Sequence, residues 1–330
     1  MELVRDNEGV PSHSDLAERI TSEIHRLGPI SFARFMELAL YDPSSGYYRR
    51  DPHPFGRSGD FYTAEQLQPV FGELMESFVA QLAQDAHSDF SVCEVGAGRG
   101  EMSHALAGWN YRGHDFGLGE LPGHMQGLVL ANEFFDALPV HLLRRCGPAW
   151  CELRAMAANG GFEFTTSPLH SSQLLEYAEI YGQAVPEGGL FEVNLVAEQW
   201  VASIATFLRS GFLLVIDYGY QVRELPRFPF GSLMSYRKHQ AVEDVLADPG
   251  SQDITSHVNL TALTDSALRS GFELVVCQSF ASWALSIWGE EELTSRWQSA
   301  DARWRLQWKQ LVYGMGDSFH VLLFRKLPAK

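Results

Sequence analysis

The feature that most constrains the fold is a short apolar run that turns through three glycines. Residues 91–95 (SVCEV) are mostly apolar and include β-branched side chains, as is typical of a buried parallel strand. Gly96, Gly98 and Gly100 follow at alternate positions, and residues 101–107 have a helical pattern. A strand that turns through glycines into a helix lets the backbone approach a ligand closely and presents amide N–H groups to it. The segment therefore predicts an α/β protein with a ligand site here, although such a turn also occurs without a ligand.

The residues around these glycines discriminate between two nucleotide ligands. The spacing is G-x-G-x-G, so Gly100 comes one residue before the third glycine of a dinucleotide fingerprint. Glu94 lies two residues before the first glycine, where its carboxylate can engage a cationic amine but repels a pyrophosphate. We therefore predict S-adenosyl-L-methionine (AdoMet) as the cofactor, bound by Glu94, Gly96, Gly98 and Gly100. An NAD-dependent oxidoreductase is the less favoured alternative.

Composition and charge exclude several classes of partner. The formal net charge is −16, from 41 acidic and 25 basic residues, which argues against binding to a nucleic-acid backbone. The four cysteines have no C-x-x-C pairing and no histidine at ligand spacing, so we expect reduced thiols, a cytoplasmic location and no metal site. No signal-peptide pattern and no apolar run of membrane-spanning length is present, so we expect no membrane insertion.

Periodicity and turn residues predict the remaining organisation. Residues 1–75 are expected to form an N-terminal helical cap segment, and residues 76–330 a core with a shortened segment at 101–126 and an irregular insertion at about 221–259. Helices are predicted at 14–27, from Ser31, at 69–83, at 198–209 and near 260–270. Strands are predicted at 127–131, 212–216, 272–277 and 318–325, with a hairpin around Asn159-Gly160-Gly161.

Polar and acidic residues directly follow two of these strands. Asn132, Glu133 and Asp136 come after the strand at 127–131, and Asp217 comes after the strand at 212–216. Open α/β sheets hold their ligands at the carboxyl ends of parallel strands, so these side chains are expected at the ligand site. For Asp136 the alternative is a structural role as the N-cap of a helix that begins just after the strand.

These motifs resemble those of the MidA/NDUFAF7 family, AdoMet-dependent class I methyltransferases also known as DUF185 or COG1565 proteins. The most specific match is the segment 132–140 (NEFFDALPV). The other matching segments run in order along nearly the whole chain: 28–31, 35–43, 46–48, 59–61, 71–73, 94–100, 217–220, 231–233, Tyr236, His239, 253–257 and 315–319. The resemblance implies an α/β fold with a Rossmann-like, mostly parallel sheet whose last strand is antiparallel.

The resemblance also implies a function and roles for particular residues. The mitochondrial member of this family is a protein arginine methyltransferase that acts on a complex I subunit during assembly, so a protein substrate is expected here. Glu133 and Asp136 are candidates to hold the guanidinium group, with Asp217 as a third. Asn132 and Glu133 would lie where the acceptor meets the sulfonium, and Asn132 is also a candidate for cofactor binding. Gly59 and Thr63 are further candidates for cofactor binding.

One departure from the family pattern leaves two functions open. Class I methyltransferases place an acid for the ribose hydroxyls at the end of the second strand, usually with a further helix and strand before the fourth. Only about 26 residues separate Gly100 from Gly127, too few for all these elements. Either the second strand with its helix or the helix and third strand is missing. Asp115 is the best substitute acid and Glu120 the next, unless both are loop carboxylates. In that case the pocket lacks its ribose anchor. The shortened segment also favours the alternative function, a non-catalytic assembly or binding protein on a degenerate methyltransferase fold.

Overall fold

The computed structural model describes residues 13–49, 64, 67–84, 90–118, 121–237, 240–316 and 318–328. The helices in these ranges are α1 (His13–Leu27), α2 (Phe32–Tyr41), α3 (Val70–Ala83), α4 (Ser172–Tyr181), α5 (Leu195–Phe207), α6 (Leu260–Arg269), α7 (Phe280–Ser299) and α8 (Ala302–Lys309). The strands are β1 (Ile30–Ser31), β2 (Ser91–Val95), β3 (Arg112–His114), β4 (Met125–Asn132), β5 (His141–Cys146), β6 (Ala149–Ala158), β7 (Gly161–Pro168), β8 (Leu190–Val193), β9 (Leu208–Tyr220), β10 (Met234–Arg237), β11 (Gln240–Val242), β12 (Asp253–Thr255), β13 (Val258–Asn259), β14 (Glu273–Ser279) and β15 (Phe319–Lys326).

The central sheet has the strand order β14-β15-β9-β4-β2-β3, and β13 pairs with the end of β9. The strands β3, β2, β4, β9 and β13 are parallel to one another. The strand β15 lies antiparallel between β9 and β14. This confirms the mostly parallel sheet with an antiparallel last strand.

Side chains alternate between the two faces of the central sheet, as expected for a strand pleat. On one face Leu128, Leu130 and Leu214 pack with apolar residues of α3, α7 and α8. On the other face Val129 and Val215 pack with residues of α5 and α6. Because both faces are covered, the strands are nearly continuous apolar runs, which is why they could be recognised in the sequence.

The shortened segment after the glycines keeps a second strand, β3, and its described residues form no third strand before β4. The strand β3 pairs in parallel with β2 at the edge of the sheet, with His114 opposite Val95. Residues 115–118 follow β3, and from residue 121 the described chain leads into β4, which pairs with the other side of β2. The helix predicted at 101–107 is wrong: Glu101–Ser103 and Ala107–Trp109 are two short 3₁₀ turns.

A second sheet lies beside the central one and was not predicted as a unit. Its strand order is β1-β6-β5-β8, and β7 pairs with β6. The predicted hairpin is present: β6 and β7 pair up to Ala158 and Gly161, with Asn159 and Gly160 at φ 51° and 79° in the turn. Apolar residues of α1 and α2 pack on this sheet and not on the central one.

The structure adds detail to two parts of the predicted organisation. Residue 75, the predicted end of the cap segment, falls inside α3, which packs on the central sheet. The insertion at 221–259 is not irregular, because β10, β11 and β12 form a small antiparallel sheet within it. Among the described residues, no helix is both long and apolar enough to cross a membrane.

Candidate active site

A cavity of about 320 Å³ lies at the carboxyl edge of the central sheet. Three parts of the chain form its walls: the loops after β2, β3, β4 and β9, the segment from the end of α2 to Arg49, and the small sheet with the residues after β12. The lining residues are Tyr41, Tyr48, Arg49, Gly96, Gly98, Glu101, Asp115, Phe116, Asn132, Glu133, Phe134, Asp136, Ala137, Tyr218, Met234, Tyr236, Asp253, Thr255, Ser256 and His257.

The glycine loop and the end of β3 form one side of this cavity. Gly96 and Gly98 line it and have φ of 79° and 52°, a backbone region that side-chain-bearing residues rarely adopt. Asp115 comes directly after β3, and its carboxyl accepts a hydrogen bond from the backbone N–H of Gly98. Burial raises the pKa of Asp115, while this bond and the charge of Arg49 oppose the rise. An acid thus follows β3 and lines the cavity, and its role in ribose binding stays a prediction.

Two of the predicted cofactor residues do not line the cavity. The side chain of Glu94 is fully buried, and the hydroxyl of Tyr111 donates a hydrogen bond to its Oε2. Gly100, at φ 73°, begins the first 3₁₀ turn. The role of both residues in cofactor binding stays a prediction from the sequence. Gly59, Thr63 and Glu120 lie outside the described residues.

Glu133 stands at the point where β4 ends and the chain turns into the cavity. Its φ of 49° is unusual for a residue with a side chain, and its backbone N–H donates to the carbonyl of Ile216. Its Oε1 accepts from the backbone N–H of Ala64 at 2.9 Å and lies 3.5 Å from the side-chain amide of Asn132. Burial raises the pKa of Glu133 to about 8, and the nearby charge of Asp136 adds to this rise.

Asp136 is a buried carboxyl that faces the cavity and is only 4% exposed. Its Oδ1 has no hydrogen-bond partner among the described residues. No helix follows it, so the alternative role as a helix N-cap is wrong. Burial raises the pKa of Asp136 well above its ordinary value, and the charges of Asp217 and Asp253 raise it further. A buried oxygen without a donor is costly, so this position favours a ligand that supplies one.

Asp217 is directed away from the cavity, into the loop that holds Asp136. Its Oδ2 accepts from the backbone N–H groups of Phe135 and Asp136 at 2.9 and 3.3 Å, and its Oδ1 accepts from that of Tyr218 at 2.9 Å. The side chain is fully buried, and burial raises its pKa to about 8. These contacts suit a residue that positions the loop. Asp217 is not one of the residues that line the cavity.

Asp253 and His257 line the cavity but were not among the site residues predicted from the sequence. The hydroxyl of Tyr48 donates to Oδ1 of Asp253 at 2.6 Å. The ring of His257 lies parallel to that of Tyr218, with centroids 6.3 Å apart, and burial lowers the pKa of His257. Both residues belong to the matching segment 253–257, which was the one available signal. Only the tertiary contacts place this segment beside the glycine loop.

Comparisons with known proteins agree with this geometry. A family model described as "Putative S-adenosyl-L-methionine-dependent methyltransferase" matches residues 114–277. A crystal structure of a COG1565 superfamily member from Burkholderia thailandensis, bound to S-adenosylhomocysteine, is similar with a TM-score of 0.84. It is 27% identical, and the match covers 96% of this chain and 95% of that one. The fold and the glycine loop thus define an AdoMet-dependent methyltransferase.

Curated relatives point to one family within this class of methyltransferases. The protein named "Protein arginine methyltransferase NDUFAF7 homolog, mitochondrial" from Drosophila melanogaster is 26% identical, over 78% of this chain and 71% of the relative. The homologue of the same name from Caenorhabditis elegans is 26% identical, over 76% of this chain and 71% of the relative. Together, these similarities support a MidA/NDUFAF7-family AdoMet-dependent methyltransferase.

Proposed function

We propose that this protein methylates an arginine side chain of a protein substrate. The observation that carries the proposal is a pair of carboxyls, the half-buried Glu133 and the buried Asp136, in the cavity that the glycine loop also lines. The curated relatives are named protein arginine methyltransferases, which supports the same substrate class. A complex I subunit as the acceptor is the finer proposal, and it rests on the family resemblance alone.

The residues at the glycine loop fit AdoMet. Gly96 and Gly98 leave backbone, with no side chain, against the cavity, so the methionine portion of AdoMet can lie close to the loop. Asp115, at the end of β3, has the position and charge to bind ribose hydroxyls, and Phe116 adds an aromatic wall. When bound, AdoMet supplies a methyl group on a positively charged sulfur, so the protein needs no nucleophile of its own.

Glu133 and Asp136 can both bind and deprotonate a guanidinium. A carboxylate pairs with the N–H groups of a guanidinium and fixes its orientation. The acceptor nitrogen loses one proton as it gains the methyl group, and Glu133, with a pKa near neutrality, is suited to accept it. Asp217 contributes by holding the backbone of the loop through the N–H groups of Phe135 and Asp136.

The alternative is a non-catalytic assembly or binding protein, which the shortened segment favoured. Retention of β3 and Asp115 weakens that alternative, because the expected ribose acid is not lost with the missing elements. A cytoplasmic location remains a prediction from the sequence. The curated relatives are named as mitochondrial proteins, so locating a tagged full-length chain in cells is the direct test.

Glu133→Gln tests the function. The amide keeps the size of the side chain but cannot balance a cation or take up a proton. We expect turnover to fall by about a hundredfold or more, with AdoMet affinity changed only a few-fold. Turnover is measured as tritium transfer from labelled AdoMet to lysate proteins of a strain that lacks the enzyme.

The matched control is Glu176→Gln, on an exposed part of α4. It should retain both turnover and affinity. Turnover near the wild-type level in Glu133→Gln would remove Glu133 from the mechanism. A wild-type protein that neither transfers methyl groups nor binds S-adenosylhomocysteine would support the non-catalytic alternative.

A further inference from the structure

The chain makes a tight turn directly after β3, and this turn carries Asp115, the acid that we expect to bind the ribose hydroxyls. The backbone N–H of Leu118 donates to the carbonyl of Asp115 at 3.1 Å, and Gly117 within the turn has a φ of 69°. Asp115 and Phe116 both line the cavity. A turn of this length buries little apolar surface of its own, so its position depends on contacts with neighbouring elements.

The segment from the end of α2 to Arg49 contacts this turn through the residues at both of its ends. Tyr41, the last residue of α2, packs its ring against that of Phe116, with centroids 4.3 Å apart and 38° between the planes. The side chain of Arg49 donates a hydrogen bond to the backbone carbonyl of Phe116. Its Nη2 also lies 3.6 Å from the position that a Cβ at Gly117 would occupy. The segment therefore contacts both the ring and the backbone of the residue that follows Asp115.

This segment is itself anchored to the N-terminal helices and the second sheet. The carboxylate of Asp42 accepts a hydrogen bond from the guanidinium of Arg19 in α1 at 2.7 Å. The backbone N–H of Arg49 donates to the carbonyl of Gly46 at 2.9 Å. The side chain of Tyr47, between these two residues, is fully buried in the core that α1 and α2 form with the second sheet. The backbone of Arg49 is thus held in place, and its side chain can support the turn after β3.

On the basis of the proposed role of Asp115 in ribose binding, we propose that Arg49 is a positioning residue that holds the turn 115–118 against the nucleoside half of AdoMet. Between β3 and β4 the described residues form no further strand or helix that could support this turn. A hydrogen bond from a guanidinium to a carbonyl is charge-assisted and roughly twice as strong as a neutral one. Arg49 therefore acts through the backbone that carries Asp115, and this role needs no contact with the cofactor.

The test measures ligand binding by calorimetric titration and needs no turnover. The ligands are S-adenosylhomocysteine and methylthioadenosine, which has the nucleoside but lacks the amino-acid end. Arg49→Met keeps most of the apolar stem but removes the hydrogen bond, and it should weaken the binding of both ligands by about tenfold and to a similar extent. Arg49→Lys keeps the charge and an N–H donor, so it should bind both ligands within about threefold of the wild type.

A double-mutant cycle with Asp115→Asn separates a positioning role from an independent one. Asp115→Asn alone should weaken both ligands by about tenfold or more. If Arg49 acts through Asp115, adding Arg49→Met to this variant should weaken binding by only a further two- to threefold. Arg26→Met, which removes an exposed arginine in the last turn of α1, is the matched control and should change neither affinity. The Tm of each variant without ligand reports whether the fold is kept.

The outcomes separate this inference from the proposals on which it rests. If Arg49→Met weakens S-adenosylhomocysteine but binds methylthioadenosine like the wild type, Arg49 acts on the amino-acid end and the inference is overturned alone. Losses that multiply in the double variant also overturn it, since Arg49 then acts independently of Asp115. Wild-type affinity in Asp115→Asn would remove the ribose role of Asp115 together with the inference. None of these outcomes bears on the arginine substrate class, which Glu133→Gln tests separately.

Discussion

At the scale of single residues, the site contains several groups that lower the stability of the folded protein. Glu133 has a left-handed φ of 49°, and burial raises its pKa to about 8. Asp136 has a buried oxygen with no partner among the described residues. Such strain and desolvation persist only where surrounding structure enforces them, and they occur mainly at functional sites. The burial of Asp217, by contrast, is compensated by three backbone N–H donors.

Glu133→Gln is expected to make the protein more stable at neutral and alkaline pH. The folded-state pKa of Glu133 is about 8, against an ordinary value of 4.5. The folded state therefore binds the proton more tightly than the unfolded state, and stability is lost as pH rises from about 4.5 towards 8. Each pH unit in this window costs up to about 1.4 kcal/mol, and Gln removes this loss. Urea unfolding at pH 5, 6, 7 and 8 measures the difference.

The free energy of unfolding of Glu133→Gln, relative to the wild type, should increase steadily across this series. Glu176→Gln, on exposed α4, should follow the wild type at each pH. A constant difference between Glu133→Gln and the wild type from pH 5 to pH 8 would show that Glu133 titrates normally in the folded protein.

At the scale of elements, the segment between β2 and β4 shows how a shortened chain can keep its ligand site. The chain turns through the glycines, makes two 3₁₀ turns and forms only three residues of β3. The backbone N–H groups of Gly96 and Ala97 both donate to the carbonyl of His114, at 2.8 and 3.2 Å. These bonds fix the glycine loop directly to the end of β3. Asp115 is therefore placed beside the loop without the helix and strand that usually follow.

Gly98→Val should abolish AdoMet binding while the fold is retained. Gly98 lines the cavity at a φ of 52°, and valine, which is β-branched, is strained in this backbone conformation, so the loop should lose the shape that the cofactor needs. Calorimetric titration with S-adenosylhomocysteine should show a loss of at least a hundredfold, with an unchanged far-UV circular dichroism spectrum. Gly108→Val is the matched control, because a Cβ there has no neighbour within 4 Å. Unchanged affinity in Gly98→Val would place the cofactor elsewhere.

At the scale of the whole molecule, the cavity is assembled from parts that are far apart in the sequence. The hydroxyl of Tyr41 donates to the carbonyl of Ala137 at 3.0 Å, 96 residues away. The bond from Tyr48 to Asp253 joins residues 205 positions apart. Glu192, buried in the second sheet, accepts from the backbone N–H groups of Ser232 and Leu233 just before β10. The second sheet and the helical cap thus act together to position the wall that faces the glycine loop.

Cofactor binding should therefore stabilise the whole chain. S-adenosylhomocysteine at about 100 times its Kd stabilises the folded state by about 2.7 kcal/mol, and the Tm should rise by several degrees. Differential scanning calorimetry with and without the ligand measures this rise. The same ligand concentration should leave the Tm of Gly98→Val unchanged. An equal rise in that variant would mean that the stabilisation does not come from the glycine-loop site.

The sequence by itself determined the central strands β2, β4 and β9, the glycine loop and most of the residues that follow these strands. Apolar runs of β2, β4 and β9 are buried on both faces, so their pattern is strong and local. Asn132, Glu133 and Asp136 could be found because they directly follow such a strand. The same reasoning selected Asp217. This residue does lie at the carboxyl edge of the sheet, but its side chain accepts hydrogen bonds from the backbone and does not line the cavity.

Only the tertiary structure decided which acids face the cavity. The direction of a side chain after a strand depends on the hydrogen bonds available nearby, and those made by Asp217 come from residues 82 and 81 positions earlier. Asp253 and Tyr48 lie on short elements with weak local patterns, and their contact exists only once the insertion and the cap pack together. The strand β3 could not be recognised in the sequence either, because it has only three residues and all are exposed or partly exposed. Its pairing with β2 is seen only in the tertiary structure. Local patterns specify strands and turns, whereas long-range packing specifies the site they surround.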